Sequence, residues 1–174
     1  MRKQLLSILI VVLSSLLLLS GCIKVSNSEK ITYIIGDPTL GGSEQFKTEA
    51  KVVCLKFTYN SEPWIMNYTV YKGMNTYLTT LSRSLPFGST TRDFIMIDIN
   101  QEEQREFLLP LVTSIEKITE NKDDQARIAI SIIQNIPYDW VKFNTSNITS
   151  KFPYEVLYTQ KGVCGEKSDL LIFY

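Results

Sequence analysis

The chain has 174 residues, 18 Lys and Arg against 18 Asp and Glu, and no histidine. Zero histidines excludes Ser-His-Asp and Cys-His catalysis carried by these residues alone, and it removes most zinc sites. Of the 18 basic residues, 2 (Arg2 and Lys3) fall in the first 21 positions, which hold no acid; 18 less 2 leaves 16 basic against 18 acidic residues beyond them, a net charge of −2. That balance argues against a nucleic-acid partner, which calls for a basic patch.

The first 21 residues read as a targeting segment. Arg2 and Lys3 form a positive start, Leu5 to Leu19 an apolar run, and Leu19-Ser20-Gly21-Cys22 a lipobox. Small residues at 20 and 21 admit a peptidase, and Cys22 supplies sulfur for a lipid thioether. The apolar run is short for a span of roughly 20 residues. The expectation is a lipoprotein on the cell surface, outside the cytoplasm and anchored to the membrane through lipid on Cys22.

Residues 22–48 read as a tether, rich in Ser, Gly and Pro, in which Ile31 to Ile35 allows one short strand. Residues 49–100 read as a small β-rich module. Val52, Val53, Leu55, Phe57 and Tyr59 alternate as in a strand, and Trp64, Met66, Tyr68, Val70 and Tyr71 suggest its antiparallel partner. Glu62-Pro63 suits the turn between them, and Lys72-Gly73-Met74-Asn75 turns the chain again. Tyr77, Leu78, Leu81 and Leu85 allow a short helix or a third strand, which Pro86-Phe87-Gly88-Ser89 ends. Phe94 to Ile99 reads as a strand.

From residue 101 the apolar period becomes helical. Glu102, Glu103 and Glu106 suit the positive end of a helix dipole. Phe107, Leu108, Leu111, Ile115 and Ile118 form its stripe, and Pro110 is a candidate kink. Asp123 suits the cap of a second helix. Ala126, Ala129, Ile130 and Ile133 are its expected buried face, and Pro137 its end. Residues 138–152 read as a polar loop. Asn67, Asn144 and Asn147 each fit the glycosylation pattern, which matters only where the host has the machinery. The overall expectation is an α+β chain.

Gly162-Val163-Cys164-Gly165 is the stretch that carries chemistry. The glycines let the backbone turn and leave room for a substrate. Ser168, Leu170, Leu171, Ile172 and Phe173 start an apolar helix, so Cys164 falls at its N-terminus. There the unpaired N–H groups and the dipole favour a thiolate and an acyl oxyanion. A buried structural cysteine after a glycine turn is the other reading of the same residues. Cys54 is expected as a small buried hydrophobe in its strand, a disulfide to Cys164 being the alternative. There is no Gly-rich phosphate loop, no carboxylate cluster at calcium spacing and no haem or flavin motif, so no cofactor or metal is expected.

Three blocks together resemble the transglutaminase-like superfamily, the bacterial and archaeal branch of papain-like thiol enzymes. They are Ala126 and Ile128 to Ile133 with Gln134-Asn135-Ile136-Pro137-Tyr138; then Phe152-Pro153-Tyr154-Glu155-Val156-Leu157; then Lys161-Gly162-Val163-Cys164-Gly165-Glu166-Lys167-Ser168. The resemblance covers about 50 residues, in the last third of the chain. It implies that residues 101–174 are the helical first half of such a core, truncated before its barrel-like second half. It also implies that Cys164 is the nucleophile of a Cys-His-Asp enzyme acting on amide bonds of a protein or peptide substrate. Later strands would carry the histidine and aspartate, which are not in this sequence. Glu166 is expected as a first-turn dipole partner, and Tyr138 and Glu155 as packing that braces the cysteine helix. The chain itself is expected to be inactive, as a gene fragment or a surface binding module. Leu170, Leu171, Ile172 and Phe173 are then expected to lie exposed.

Overall fold

The computed structural model describes residues 32–37, 41–82, 87–145 and 149–174, and it is a mixed α+β fold. Cys22 and the leader lie outside the described residues, as do Leu85, Pro86 and Asn147. A three-stranded sheet holds β1 (Tyr33–Ile35), β2 (Ala50–Tyr59) and β3 (Glu62–Tyr71) in the order β1-β3-β2. β2 and β3 form an antiparallel hairpin with Val53 opposite Tyr68 and Leu55 opposite Met66. Its two-residue loop is Asn60-Ser61, both with positive φ (51° and 64°), as a tight hairpin turn demands. The turn is therefore earlier than Glu62-Pro63, which begin β3; Pro63 needs no amide donor at the strand end. β1 runs parallel to β3, with Tyr33 beside Trp64 and their rings stacked at 4.4 Å.

The alternation of the hairpin buries Val53, Leu55, Phe57, Met66, Tyr68 and Val70 on one face. Cys54 falls on the other parity. It is half-buried opposite Asn67 rather than in the core, and it is not paired with Cys164, which is a free thiol.

Helices follow the hairpin, and some of them pack on its apolar face. They are α1 (Lys72–Thr80), α2 (Thr91–Asn100), α3 (Glu102–Ile118), α4 (Lys122–Asn135), α5 (Trp140–Phe143), α6 (Pro153–Thr159) and α7 (Cys164–Phe173). Lys72-Gly73 thus opens a helix, and Tyr77 and Leu78 belong to it. The largest correction concerns Phe94 to Ile99, which are helical. Thr90 and Asp93 form a capping box: the Asp93 amide donates to Thr90 Oγ1 at 3.4 Å, and the Thr90 amide donates to Asp93 Oδ2 at 2.7 Å. That nucleus starts a helix through an apolar run whose sequence alone does not distinguish strand from helix.

α3 runs unbroken through Pro110 and buries Phe107, Leu108, Leu111 and Ile115. α4 is capped by Asn121, whose side chain accepts from the amides of Asp123 and Asp124, so Asp123 is inside the helix rather than its cap. Its buried face is Ile128, Ala129, Ile132 and Ile133, while Ala126 and Ile130 are exposed. α4 packs along β2, where Ser131 Oγ accepts from the Thr58 amide at 2.9 Å and covers a backbone donor of that edge strand.

One core runs from Val53 in β2 to Leu170 in α7. Gln104, fully buried in α3, accepts from the Tyr154 amide at 3.2 Å and donates to the Asp98 carbonyl, so it pins α2, α3 and α6 together. The segment before β2 is docked as well. Phe46 packs against Phe107 and Tyr77. Gly42 has φ +90°, and a Cβ there would lie 2.3 Å from the Phe107 ring, so only glycine fits.

α7 is less bare than its sequence implies. Leu170 is buried, Leu171 and Phe173 are partly buried against the core, and only Ile172 of the four stands exposed. Part of the cover is α2, the element whose sequence reads as a strand.

Candidate functional site

Cys164 is the first residue of α7, after Val163 in extended conformation, and its thiol is exposed. Two short backbone segments place it. Gly162 forms an isolated parallel bridge with Tyr138: its amide donates to the Pro137 carbonyl at 3.3 Å, and its carbonyl accepts from the Asp139 amide at 3.2 Å. A Cβ on Gly162 would sit 3.1 Å from Lys167 Cγ and 3.2 Å from Val156, which explains the glycine as close packing. A Cβ on Gly165 would meet nothing within 4 Å, so that position has room for a side chain.

Beneath the helix start lies a polar brace. Glu166, the third residue of α7, is 1 % exposed. Its carboxylate accepts from the Val163 amide at 3.0 Å, from the Lys151 amide at 2.7 Å and from Lys142 Nζ. It therefore does more than complement the dipole. It satisfies three donors and joins α7, the 149–152 segment and α5. Lys151 Nζ in turn donates to Asp139 Oδ2 at 2.7 Å and to the Lys161 carbonyl at 3.1 Å. The Lys151 ammonium, then the Lys142 amide, hold the Asp139 carboxyl below its usual range. Lys167 Nζ donates to the Ile136 carbonyl at 2.8 Å, tying α7 to the end of α4; burial lowers its pKa. Glu155 is buried and accepts from the Phe152 amide at 2.8 Å, so it anchors α6 rather than touching Cys164.

Tyr138 is half-buried, and its backbone bridges Gly162, two residues before Cys164. Burial first, then the charge a Cys164 thiolate would carry, push its phenol pKa up, so it stays a protonated donor. Its ring lies 4.6 Å from that of Trp140 and 5.8 Å from that of Phe143.

Lys142, Lys151, Asp139 and Trp140 are site residues that the polar-loop reading passes over. Asp139, Trp140 and Lys142 share a signal, two charges three residues apart among bulky apolar residues in Asp139-Trp140-Val141-Lys142-Phe143; Lys151 lies outside that stretch. A cavity of about 420 Å³ lies beside the brace, lined by Leu78, Leu81, Val141, Thr145, Ser150 and Lys151 among others; Cys164 does not line it. Among the described residues, no group of three His, Cys, Asp or Glu side chains is placed to hold a metal ion. No helix among them is long and apolar enough to cross a membrane.

The arrangement presents an exposed sulfur at a helix N-terminus. Among the described residues no imidazole accompanies it, because the sequence has none. Searches of family models, of curated proteins and of solved structures found nothing that matches this chain.

Proposed function

We propose that this chain is a surface-tethered module of transglutaminase-like, papain-like kind in which Cys164 accepts an acyl group from a protein or peptide. The single observation that carries the reading is an exposed free thiol on the first residue of α7, held by the Tyr138–Gly162 bridge. The step is attack of the Cys164 sulfur on an acyl carbon, forming a thioester and expelling the leaving group with its electron pair.

An amine leaving group needs a proton, and a base-acid such as histidine ordinarily delivers it. With no histidine in the sequence, amide turnover by this chain is expected to be negligible. A thiolate leaving group needs no such proton. The test therefore uses a peptide thioester of a small thiol and intact mass spectrometry. The expected result is a hydroxylamine-labile adduct on Cys164, formed faster than in the urea-unfolded chain and missing in Cys164→Ala. Equal rates in folded and unfolded chain would remove the nucleophile assignment.

The absent histidine favours a second reading, a binding module that keeps the peptide groove without turnover. Anchoring through lipid on Cys22 is part of the proposal. Its check is loss of the protein from the membrane fraction in Cys22→Ala.

A further inference from the structure

Cys164 sits in a run of permissive backbone. Gly162 and Gly165 flank Val163-Cys164, and glycine has more conformational freedom to lose than any other residue. The first turn of α7 is therefore only as well placed as the contacts on either side of it. Beyond the Tyr138–Gly162 bridge, Lys151 supplies one on each side. Its Nζ donates to the Lys161 carbonyl at 3.1 Å, three residues before Cys164, and its backbone amide donates to Glu166 Oε1 at 2.7 Å, two residues after it. The ammonium is fixed in turn by Asp139 Oδ2 at 2.7 Å, and the Asp139 amide donates to the Gly162 carbonyl at 3.2 Å, inside the same run. The Lys151 and Asp139 side chains are 18 % and 14 % exposed, so water competes little for these bonds. Thr159 Oγ1 also reaches the Lys161 carbonyl, at 3.2 Å, but its single proton has a nearer acceptor in the Glu155 carbonyl, 2.7 Å away.

Resting on the reading of Cys164 as the acyl-accepting thiol, we propose that Lys151 is a positioning residue for that reaction. Held at Lys161 and at Glu166, the run between them keeps one path, and the sulfur keeps one place relative to the N–H groups of the first turn of α7. Those groups stabilise negative charge on a sulfur or on an acyl oxygen. Lys151 acts through the backbone and not on the reacting atoms. Its two attachments differ in kind: the amide is main chain and stays in Lys151→Met, whereas the ammonium is removed. Rate is a sharp reporter of such a change, since a misplacement of about 1 Å can cost about a hundredfold.

The test compares acylation of Cys164 in the full chain and its variants by one peptide thioester of a small thiol. The sulfur of Cys164 bonds to the acyl carbon, the donor's carbon–sulfur bond breaks, the small thiolate leaves with the electron pair, and the thiol proton passes to buffer. Urea curves give the native fraction of each protein, and rates are taken per native molecule and set against the urea-unfolded chain. Lys151→Met keeps the apolar stem of the side chain and removes its donors. It is expected to acylate about tenfold more slowly than wild type. Lys151→Arg, which still donates to Asp139 and to the Lys161 carbonyl, is expected to recover most of that loss. Lys151→Met/Asp139→Asn strands no carboxylate; it is read where the single variant does not fold, and the same loss is expected. A wild-type rate per native molecule without the ammonium, whatever the urea midpoint, overturns the positioning role and leaves the nucleophile standing. Lys151→Arg as slow as Lys151→Met overturns it too, as does failure of both Met variants to fold, which makes Lys151 a folding residue. No acylation of wild type above the unfolded rate overturns the nucleophile, and the positioning role with it.

Discussion

The Lys142 ammonium, on α5, donates to the Glu166 carboxylate on α7, joining two elements that are 24 residues apart in the chain. Nearly all of the water is excluded from the acid, and two backbone amides share it. The helix that carries Cys164 is thus located from below by a charge rather than by apolar packing alone.

Removing that acid should be costly. Glu166→Ala leaves the amides of Lys151 and Val163 without their acceptor and the Lys142 ammonium with the Thr149 carbonyl but no counter-charge. The expected loss of stability is about 3–5 kcal/mol, the range for breaking a buried pair. Glu166→Gln, which keeps an acceptor oxygen, should lose less. Urea unfolding of the three proteins measures both, and equal stability of Glu166→Ala and wild type would refute the brace.

Acid should weaken the same region through Asp139. Its folded carboxyl is held below the ordinary value of about 3.9, first by Lys151. A depressed folded pKa means that the folded state releases the proton more readily than the unfolded state. The stabilisation is therefore complete above the unfolded value and is lost as pH falls through the folded one. In Asp139→Asn the fall in urea midpoint between pH 5 and pH 2 should be shallower by this contribution, while Asp139 wild type steepens below about pH 4. An unchanged acid limb would count against the pair.

Glycines give a contrast within one molecule. Gly42→Ala must both hold φ +90° and place a methyl 2.3 Å from Phe107, so a loss above about 2 kcal/mol is expected. Gly165→Ala meets open space inside the first turn of α7 and should be neutral to stabilising by up to about 1 kcal/mol. Paired urea curves settle whether the segment before β2 is docked on α3.

The capping box predicts that Thr90→Ala costs about 1 kcal/mol. Far-ultraviolet circular dichroism should lose helix signal in Thr90→Ala/Asp93→Ala. A spectrum that kept its full helix signal would count against the capping box as the device that makes residues 94–99 helical.

The legible parts of this fold were those with a clean period or a local device. Val53, Leu55 and Phe57 alternate, and Phe107, Leu111 and Ile115 repeat at helical spacing, so β2 and α3 follow from pattern. Gly162-Val163-Cys164-Gly165 before an apolar run placed Cys164 at a helix start. Phe94 to Ile97 is a continuous apolar run without period, and the deciding information lay upstream in Thr90 and Asp93. Ala126 and Ile130 share a period with Ala129 and Ile133, yet both lie exposed, and the face that packs inward is Ile128, Ala129, Ile132 and Ile133. The brace was not legible because Lys142, Lys151 and Glu166 come from three separate segments. The exposed Trp140 and Phe143 run against the rule by which apolar residues are sought inside.

The Tyr138–Gly162 bridge also decouples length from geometry. It clasps the chain on both sides of the excursion that carries α5 and α6, so the backbone entering α7 is fixed where the clasp closes. Extra residues inserted after Asn144 then change only the entropy of closing a longer loop, about 0.6 kcal/mol for each doubling. A chain built this way can accept insertions there over evolutionary time, or by engineering, without moving the sulfur of Cys164.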